Sequence, residues 1–330
     1  MNVIHVCDRF TPRVYKMVIA QQRLGHDVKL LYLADCAEQV FPTVYDCSRY
    51  LSTAQLKPKL AKAAKTADIV WVHTSINSVP LINTVIVLGI GGPLLIWDIH
   101  DFVVDEITTI NLSNVDLVVT PSEMMADQVR NVRPGTDVAV IYNKCPKQFQ
   151  SRAPERPEID GCVLESGIDG PSGLVYRDYT HVQDMLGDFD CNLFIYCMCE
   201  DILLMLKYYK NLMQPMPIFM LIPSMGRFKF GWAGASNDQH HINSCVTNKF
   251  WEYLTAGIPV ATWRSSEMSD IAQVLGVEVN VSEGDDFEMG SAFEIKEARR
   301  RVRELQESGV LWLENDPALL AILGSSGRWV

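Results

Sequence analysis

What this sequence lacks already excludes several classes of protein. No apolar run reaches the roughly 18 to 20 residues of a membrane-spanning helix; the most apolar stretch, residues 79–96, is broken by Asn83, Gly89, Gly91, Gly92 and Pro93. The start, Met1 to Cys7, reads as a strand with no basic leader or cleavage site, so the expected location is the cytoplasm. Nine cysteines form an odd set without a C-x-x-C pair, which favours reduced, mostly buried thiols over a disulfide framework. Cys197 and Cys199 would face one side of a strand, and His240 and His241 are adjacent, but neither pair has a second pair at zinc-ligand spacing. No metal is therefore expected. A G-x-G-x-x-G turn that follows a strand and opens a helix is also missing, because Gly89, Gly91 and Gly92 precede a strand; a nicotinamide-dependent dehydrogenase is excluded on that ground.

A basic excess is lacking too. The 29 Lys and Arg against 40 Asp and Glu give a net charge of -11, and residues 1–150 hold 14 of each sign, so the whole acidic excess lies in the remaining 180. A generally basic nucleic-acid surface is excluded. Two local groups remain, Arg9, Arg13, Lys16 and Arg23, and Lys57, Lys59, Lys62 and Lys65; the second has helical spacing and reads as a solvated face.

What is present is enough apolar material, 48% of 330 residues, for two buried cores. Strand and helix signals alternate along the chain. Met1 to Cys7 is a first strand, Val14 to Leu24 a helix and Val28 to Leu33 a strand; Ala67 to His73 and Pro93 to Trp97 are further strands ending in polar residues. Val138 to Asn143 closes the first sheet. The second half begins with a strand at Gly161 to Ser166, then a helix from Tyr176, strands at Cys191 to Cys197 and Pro217 to Pro223, and a glycine- and aromatic-rich loop from Gly226 to Asp238. A charged helix follows at Phe293 to Ser308, with Glu294, Glu297, Arg299, Arg300, Arg303 and Glu304 as a solvated, paired face. The expected fold class is α/β, two Rossmann-like domains facing each other across a cleft. The expected boundaries are 1–148, a linker at 149–160, 161–312, and a tail helix at 313–330 that crosses back to the first domain.

The most informative stretch runs from Ser244 to Trp263. Thr247 or Asn248 caps a helix, Phe250, Tyr253 and Leu254 repeat at helical spacing, Gly257 and Pro259 stop the helix, and Val260 to Trp263 is a buried strand. Lys249 and Glu252 share the helix's other face. If the helix N-terminus faces a ligand, backbone N–H groups around Val246, Thr247 and Asn248 could hold phosphates, with Lys249 beside them and Glu252 accepting from ribose hydroxyls. The bland alternative is a surface pair worth about 0.2 to 0.5 kcal/mol. The segment Lys249-Phe-Trp-Glu252-Tyr-Leu-Thr-Ala-Gly257-Ile-Pro259-Val resembles the donor-binding helix of GT-B glycosyltransferases, in particular the large family with a K-x-x-E-Y-hydrophobic-x-A-G-x-P-V pattern. That resemblance implies a UDP- or GDP-linked sugar as donor, no metal, and Glu252 on the ribose. Many members carry a second glutamate, which contacts the sugar, where this chain has Ser244. A basic pair grips the diphosphate in related enzymes; here Arg177 is the only candidate nearby.

A second constellation is Asp98-Ile-His100-Asp101, at the end of an apolar strand, with His73 at the end of another. Ligands of open α/β sheets lie beyond the carboxyl ends of the strands. The stretch resembles the D-x-H-D/E motif of the same family, whose histidine lies near the donor sugar. Asp98, His100 and Asp101 are accordingly the expected catalytic residues, by hydrogen-bonding the sugar, taking the acceptor's proton or stabilising developing charge. Val115 to Glu123 and Val138 to Asn143 resemble further strand ends of the family; Ser122 reads as a helix cap, and Lys144 stands where a glycine is usual. The implied activity is sugar transfer from a nucleotide sugar to an acceptor hydroxyl. A saccharide, a lipid-linked sugar, a small molecule and a modified DNA base are all open as acceptor, the last disfavoured by charge. The alternative from another class is a non-catalytic nucleotide-sugar-binding protein.

Overall fold

The computed structural model describes residues 1–8, 10–33, 47–50, 52–74, 79–87, 92–100, 107–108, 110, 112–166, 178–197, 205–234, 246–263, 266–283 and 286–324. The chain divides into two compact units, Met1–Lys147 with Trp312–Val330, and Gln148–Leu311. No described helix is long and apolar enough to cross a membrane.

The first unit is built on strands β1 (Asn2–Cys7), β2 (Asp27–Leu33), β3 (Cys47–Tyr50), β4 (Ile69–Thr74), β5 (Leu94–Ile99), β6 (Leu117–Thr120) and β7 (Val138–Val140). They form one parallel sheet in the order β3-β2-β1-β4-β5-β6-β7. Helices α1 (Pro12–Arg23), α2 (Thr53–Ala64), α3 (Val79–Val87) and α4 (Glu123–Val132) alternate with them. Strands covered on both faces need near-continuous apolar runs, and β4 is buried along its whole length. The order reverses between β1 and β4, which makes their carboxyl ends the switch point of this sheet.

The second unit repeats the plan with β8 (Ile159–Ser166), β9 (Asn192–Cys197), β10 (Leu212–Met213), β11 (Phe228–Trp232), β12 (Val260–Trp263), β13 (Glu278–Glu283) and β14 (Asp286–Met289). Their order is β10-β9-β8-β11-β12-β13-β14, with β14 antiparallel at the edge and the reversal between β8 and β11. Its helices are α5 (Thr180–Gly187), α6 (Ile218–Met225), α7 (Asn248–Ala256), α8 (Glu267–Leu275) and α9 (Ala292–Ser308). The last helix of the chain, α10 (Pro317–Gly324), belongs to the first unit. There Leu313 N–H donates to the Cys145 carbonyl, Lys144 pairs with the buried Asp316 at 3.1 Å, and Arg23 pairs with Glu314 at 2.7 Å.

Four local expectations are corrected. Pro217 to Pro223, read as a strand, is instead the cap and body of α6, with Pro223 inside the helix. The stretch read as an aromatic loop contains β11, a strand between β8 and β12, and Phe228, Phe230 and Trp232 are fully buried. The expected linker packs onto the second unit, where Ser151 N–H donates to the Thr255 carbonyl and Ala153 lies against Gly257. Arg299 leaves the solvated face of α9: it is buried, and its guanidinium donates to the carbonyls of Phe228, Lys229, Pro154 and Gly226. Arg300 does pair with Glu297 and Glu304 on the exposed side.

Candidate functional site

At the switch point of the first sheet lies a buried polar network. His73 and Asp98 sit side by side in register on β4 and β5, and His5 on β1 is two residues below, so that alternation puts His5, Trp71 and His73 on one face with their rings stacked. Asp98 is fully buried. Arg13, in the first turn of α1 behind Pro12, donates to both of its carboxylate oxygens, from Nε at 3.0 Å to each and from Nη2 at 2.8 Å to Oδ1. The remaining guanidinium nitrogen donates to the Ile141 carbonyl and to Asn143 Oδ1, each at 2.8 Å. His73 Nδ1 is 2.7 Å from Asp98 Oδ2 and 3.2 Å from His100 Nε2; His100 Nε2 is 3.4 Å from Asp98 Oδ2, and its Nδ1 is 3.4 Å from the Thr11 hydroxyl that caps α1. His73 Nε2 is 2.7 Å from His5 Nδ1, and His5 Nε2 is 2.8 Å from Gln21 Oε1.

The electrostatics follow from burial and from the one guanidinium. Burial pushes the Asp98 carboxyl up, but Arg13 and the hydrogen bonds from His100 and His73 outweigh it and hold the group well below the usual carboxylate range. Burial lowers His73 to about 4 in spite of its bond to Asp98, and it lowers His5 to about 3, with the neighbouring His73 adding to the effect. Both rings are therefore neutral at pH 7. His73, Asp98 and His100 bring three donor atoms within 4.8 Å of one another, a spacing a metal ion could use. The charge on Asp98 is already met by Arg13, so the donor set fits an ion pair better than a dication.

At the switch point of the second sheet lies the N-terminus of α7. Thr247 is its N-cap residue, yet its hydroxyl donates to the Ala233 carbonyl at 3.4 Å and does not cap the helix. Lys249 Nζ donates to the Gly234 carbonyl at 3.0 Å and to the Tyr179 hydroxyl at 3.1 Å, and lies 5.2 Å from the centre of the Tyr179 ring. Ser166, the last residue of β8, donates to the same hydroxyl at 3.3 Å. Tyr253 locks the helix to the sheet, accepting from Glu165 N–H and donating to the Trp232 carbonyl. Its ring lies directly on Gly231, where a Cβ would come within 2.4 Å of it, so only glycine fits there. The helix ends at Gly257, whose φ of 84° and close approach to Ala153 again require glycine.

Of the residues expected from the sequence, Asp98 and His100 are brought together in the first unit, and Val246, Thr247, Asn248, Lys249 and Glu252 lie on or beside α7. Asp101, Ser244 and Arg177 lie outside the described residues. Glu252 is not on an exposed face with Lys249; it is 1% exposed, and the surface-pair alternative is overturned. The local basic patch around α1 is overturned as well, since Arg13 and Lys16 are buried and turned to Asp98 and Asn143; Arg9 is outside the described residues. Sequence reasoning missed Arg13, His5, Gln21 and Asn143 in the first unit and Tyr179 in the second. The helix-start signal Thr11-Pro12 was legible and places residue 13 at the sheet edge, but nothing local ties it to Asp98.

Two Rossmann-like α/β units, each with a polar site at its switch point, define the GT-B type of fold expected from the sequence. No protein-family model matches the chain, and no curated protein does. Among solved structures, an α-glucosyltransferase in complex with UDP and a 13-mer DNA containing an HMU base is similar over 94% of this chain and 91% of that one, with a TM-score of 0.63 and 12% identity. WaaG, a glycosyltransferase involved in lipopolysaccharide biosynthesis, is similar over 98% and 100%, with a TM-score of 0.60 and 11% identity. HepE of Anabaena, in complex with UDP-glucose, is similar over 97% and 94%, with a TM-score of 0.55 and 13% identity. At these identities the likeness is one of fold.

Proposed function

We propose that this chain is a glycosyltransferase that moves a sugar from a nucleotide diphosphate sugar to an acceptor hydroxyl. The observation that carries the reading is Lys249, a cation in the first turn of α7, at the reversal of the second sheet, held by neutral oxygens. Helix N-termini attract anions, and a lysine there adds a full positive charge. A diphosphate leaving group would meet Lys249 and the first turn around Val246, Thr247 and Asn248, with Arg177 and Ser244 assigned to the same donor. This charge does the work that a dication does elsewhere, so the proposal includes no metal. Uridine is favoured over guanosine because the similar α-glucosyltransferase and HepE were solved with UDP and UDP-glucose. Glu252, 1% exposed, is assigned to the ribose.

In the first unit His100 and Asp101 are assigned to the reacting centre. Asp98 keeps a place in the catalytic constellation but not a contact with substrate: its carboxylate already faces Arg13, His73 and His100. The acceptor is not set by these residues. A hydroxylated base in DNA is the second reading, favoured by the likeness to the α-glucosyltransferase and by the exposed Lys57, Lys59, Lys62 and Lys65 at α2, and opposed by the net charge.

Incubation with UDP- and GDP-sugars against DNA containing HMU, oligosaccharides and lipid-linked sugars tests the reading through nucleotide release and the mass of the acceptor. Release of UDP with a matching gain of one sugar on an acceptor is the expected result. Tight nucleotide binding without turnover on any acceptor would point instead to the non-catalytic alternative.

A further inference from the structure

The network in the first unit has a direction, and it can be worked out from its end. Asp98 carries no proton, because Arg13 donates to both of its oxygens. The 2.7 Å contact to His73 Nδ1 therefore needs the proton on His73 Nδ1. A neutral His73 then has a bare Nε2, and the 2.7 Å contact to His5 must use a proton on His5 Nδ1. That leaves His5 Nε2 bare, 2.8 Å from the atom assigned as Gln21 Oε1, which would set acceptor against acceptor. Oxygen and nitrogen of an amide have the same shape. Turning the Gln21 amide over lets its NH2 donate to His5, and it gives a partner to Gln21 Nε2, which has none among the described residues in the opposite orientation.

At the other end, His73 Nδ1 and His100 Nε2 lie 3.2 Å apart and converge on one oxygen, Asp98 Oδ2, at 2.7 and 3.4 Å, so both can donate to it and neither needs to accept from the other. A bare His100 Nε2 would oppose an anionic oxygen, whereas an N–H would make a charge-assisted bond. Four donors, two from Arg13 and one each from His73 and His100, then fill the roughly four acceptor positions of a carboxylate. His100 Nδ1 is left bare and faces the Thr11 hydroxyl at 3.4 Å.

We propose that Arg13, His73, His5 and Gln21 are positioning residues: through Asp98 they hold His100 in its Nε2–H form and keep Nδ1 as the atom that takes a proton. Resting on the transferase reading, the step is that the acceptor's O–H bond breaks, its proton goes to His100 Nδ1, and the oxygen's electron pair attacks the sugar carbon as that carbon's bond to the nucleotide diphosphate breaks and the diphosphate leaves with the bond's electrons. The imidazolium formed is paired with Asp98. None of the four positioning residues needs to touch substrate.

Long-range proton–nitrogen correlation spectra of the ¹⁵N-histidine-labelled full chain at pH 7 test this without any assay of transfer. The expected pattern is Nδ1–H for His5 and His73 and Nε2–H for His100, with signals assigned from single His→Gln variants. Nε2–H forms of His5 and His73, or a doubly protonated His73, would overturn the proposal. So would broadening of all three imidazoles at low Mn²⁺, which would mean that His73 Nδ1 is bare. A second arm uses Asp98→Asn. Its His100 should lose the single Nε2–H form, and turnover should fall by about 100-fold or more, in the range of general-base catalysis, while the KM for donor changes less than about twofold. Unchanged His100 shifts in that variant would sink the idea. If the expected forms are seen but no nucleotide sugar is turned over, the transferase reading fails and the hydrogen-bond order stands.

Discussion

The two switch points place positive charge in opposite circumstances. In the first unit the guanidinium of Arg13 is matched by the carboxylate of Asp98, and every further donor in the cluster is turned inward. In the second, Lys249 rests on a carbonyl and a phenol, and among the described residues no carboxylate pairs with it. A charge balanced from within is a fixture that shapes its neighbours. One met only by neutral oxygens keeps most of its attraction for an incoming anion. On the proposed function, the first cluster supplies geometry and the second supplies charge for a ligand.

Removing the matched charge should have the largest effect. Arg13→Met leaves Asp98 buried without its counterion and should cost about 3 to 5 kcal/mol in urea unfolding; a loss under about 1 kcal/mol would mean that the carboxylate is satisfied in some other way. A related test is pH. His5 and His73 titrate at about 3 and 4 in the fold against 6.5 when unfolded, so between those values the unfolded chain binds more protons. Their stabilising effect is complete above about 6.5 and is lost as the pH falls, through about 4 for His73 and about 3 for His5. Asp98, whose pKa is depressed, adds a loss only below the usual carboxylate range. His73→Gln should flatten the slope between pH 6.5 and 4, and an unaltered slope would contradict the buried-neutral assignment.

Smaller effects sharpen the second site. Gly231→Ala drives a methyl into the Tyr253 ring and should destabilise by about 1 to 3 kcal/mol, with nucleotide binding weakened because α7 shifts. Lys249→Met should leave stability within about 0.5 kcal/mol of the parent, since no carboxylate among the described residues loses its partner.

Much of the frame was legible in the sequence because it rests on local signals. Thr11-Pro12 opens α1, Gly257 closes α7, and the strand ends at His73 and Asp98 follow from apolar runs that stop at polar residues. What escaped depends on partners far apart in the chain. His5 looks like one more position in a buried strand until β4 lies beside it, and Arg13 looks like a surface charge until β5 brings Asp98 under it. Gly231 was read as a loop signal, although it is there to make room for a ring from α7. The run Ile218 to Ile222 is apolar at every position, so it has no period to separate helix from strand, and the flanking prolines tipped the reading toward a strand.

The proposed function reserves Lys249 for the diphosphate of a nucleotide sugar. Thermal unfolding of the full chain and of Lys249→Met, side by side with and without UDP, addresses it most directly. At about 100 times its dissociation constant UDP should stabilise the parent by roughly 2.7 kcal/mol and the variant by much less. Equal stabilisation of both proteins, or none of either by UDP or GDP at millimolar concentration, would contradict it.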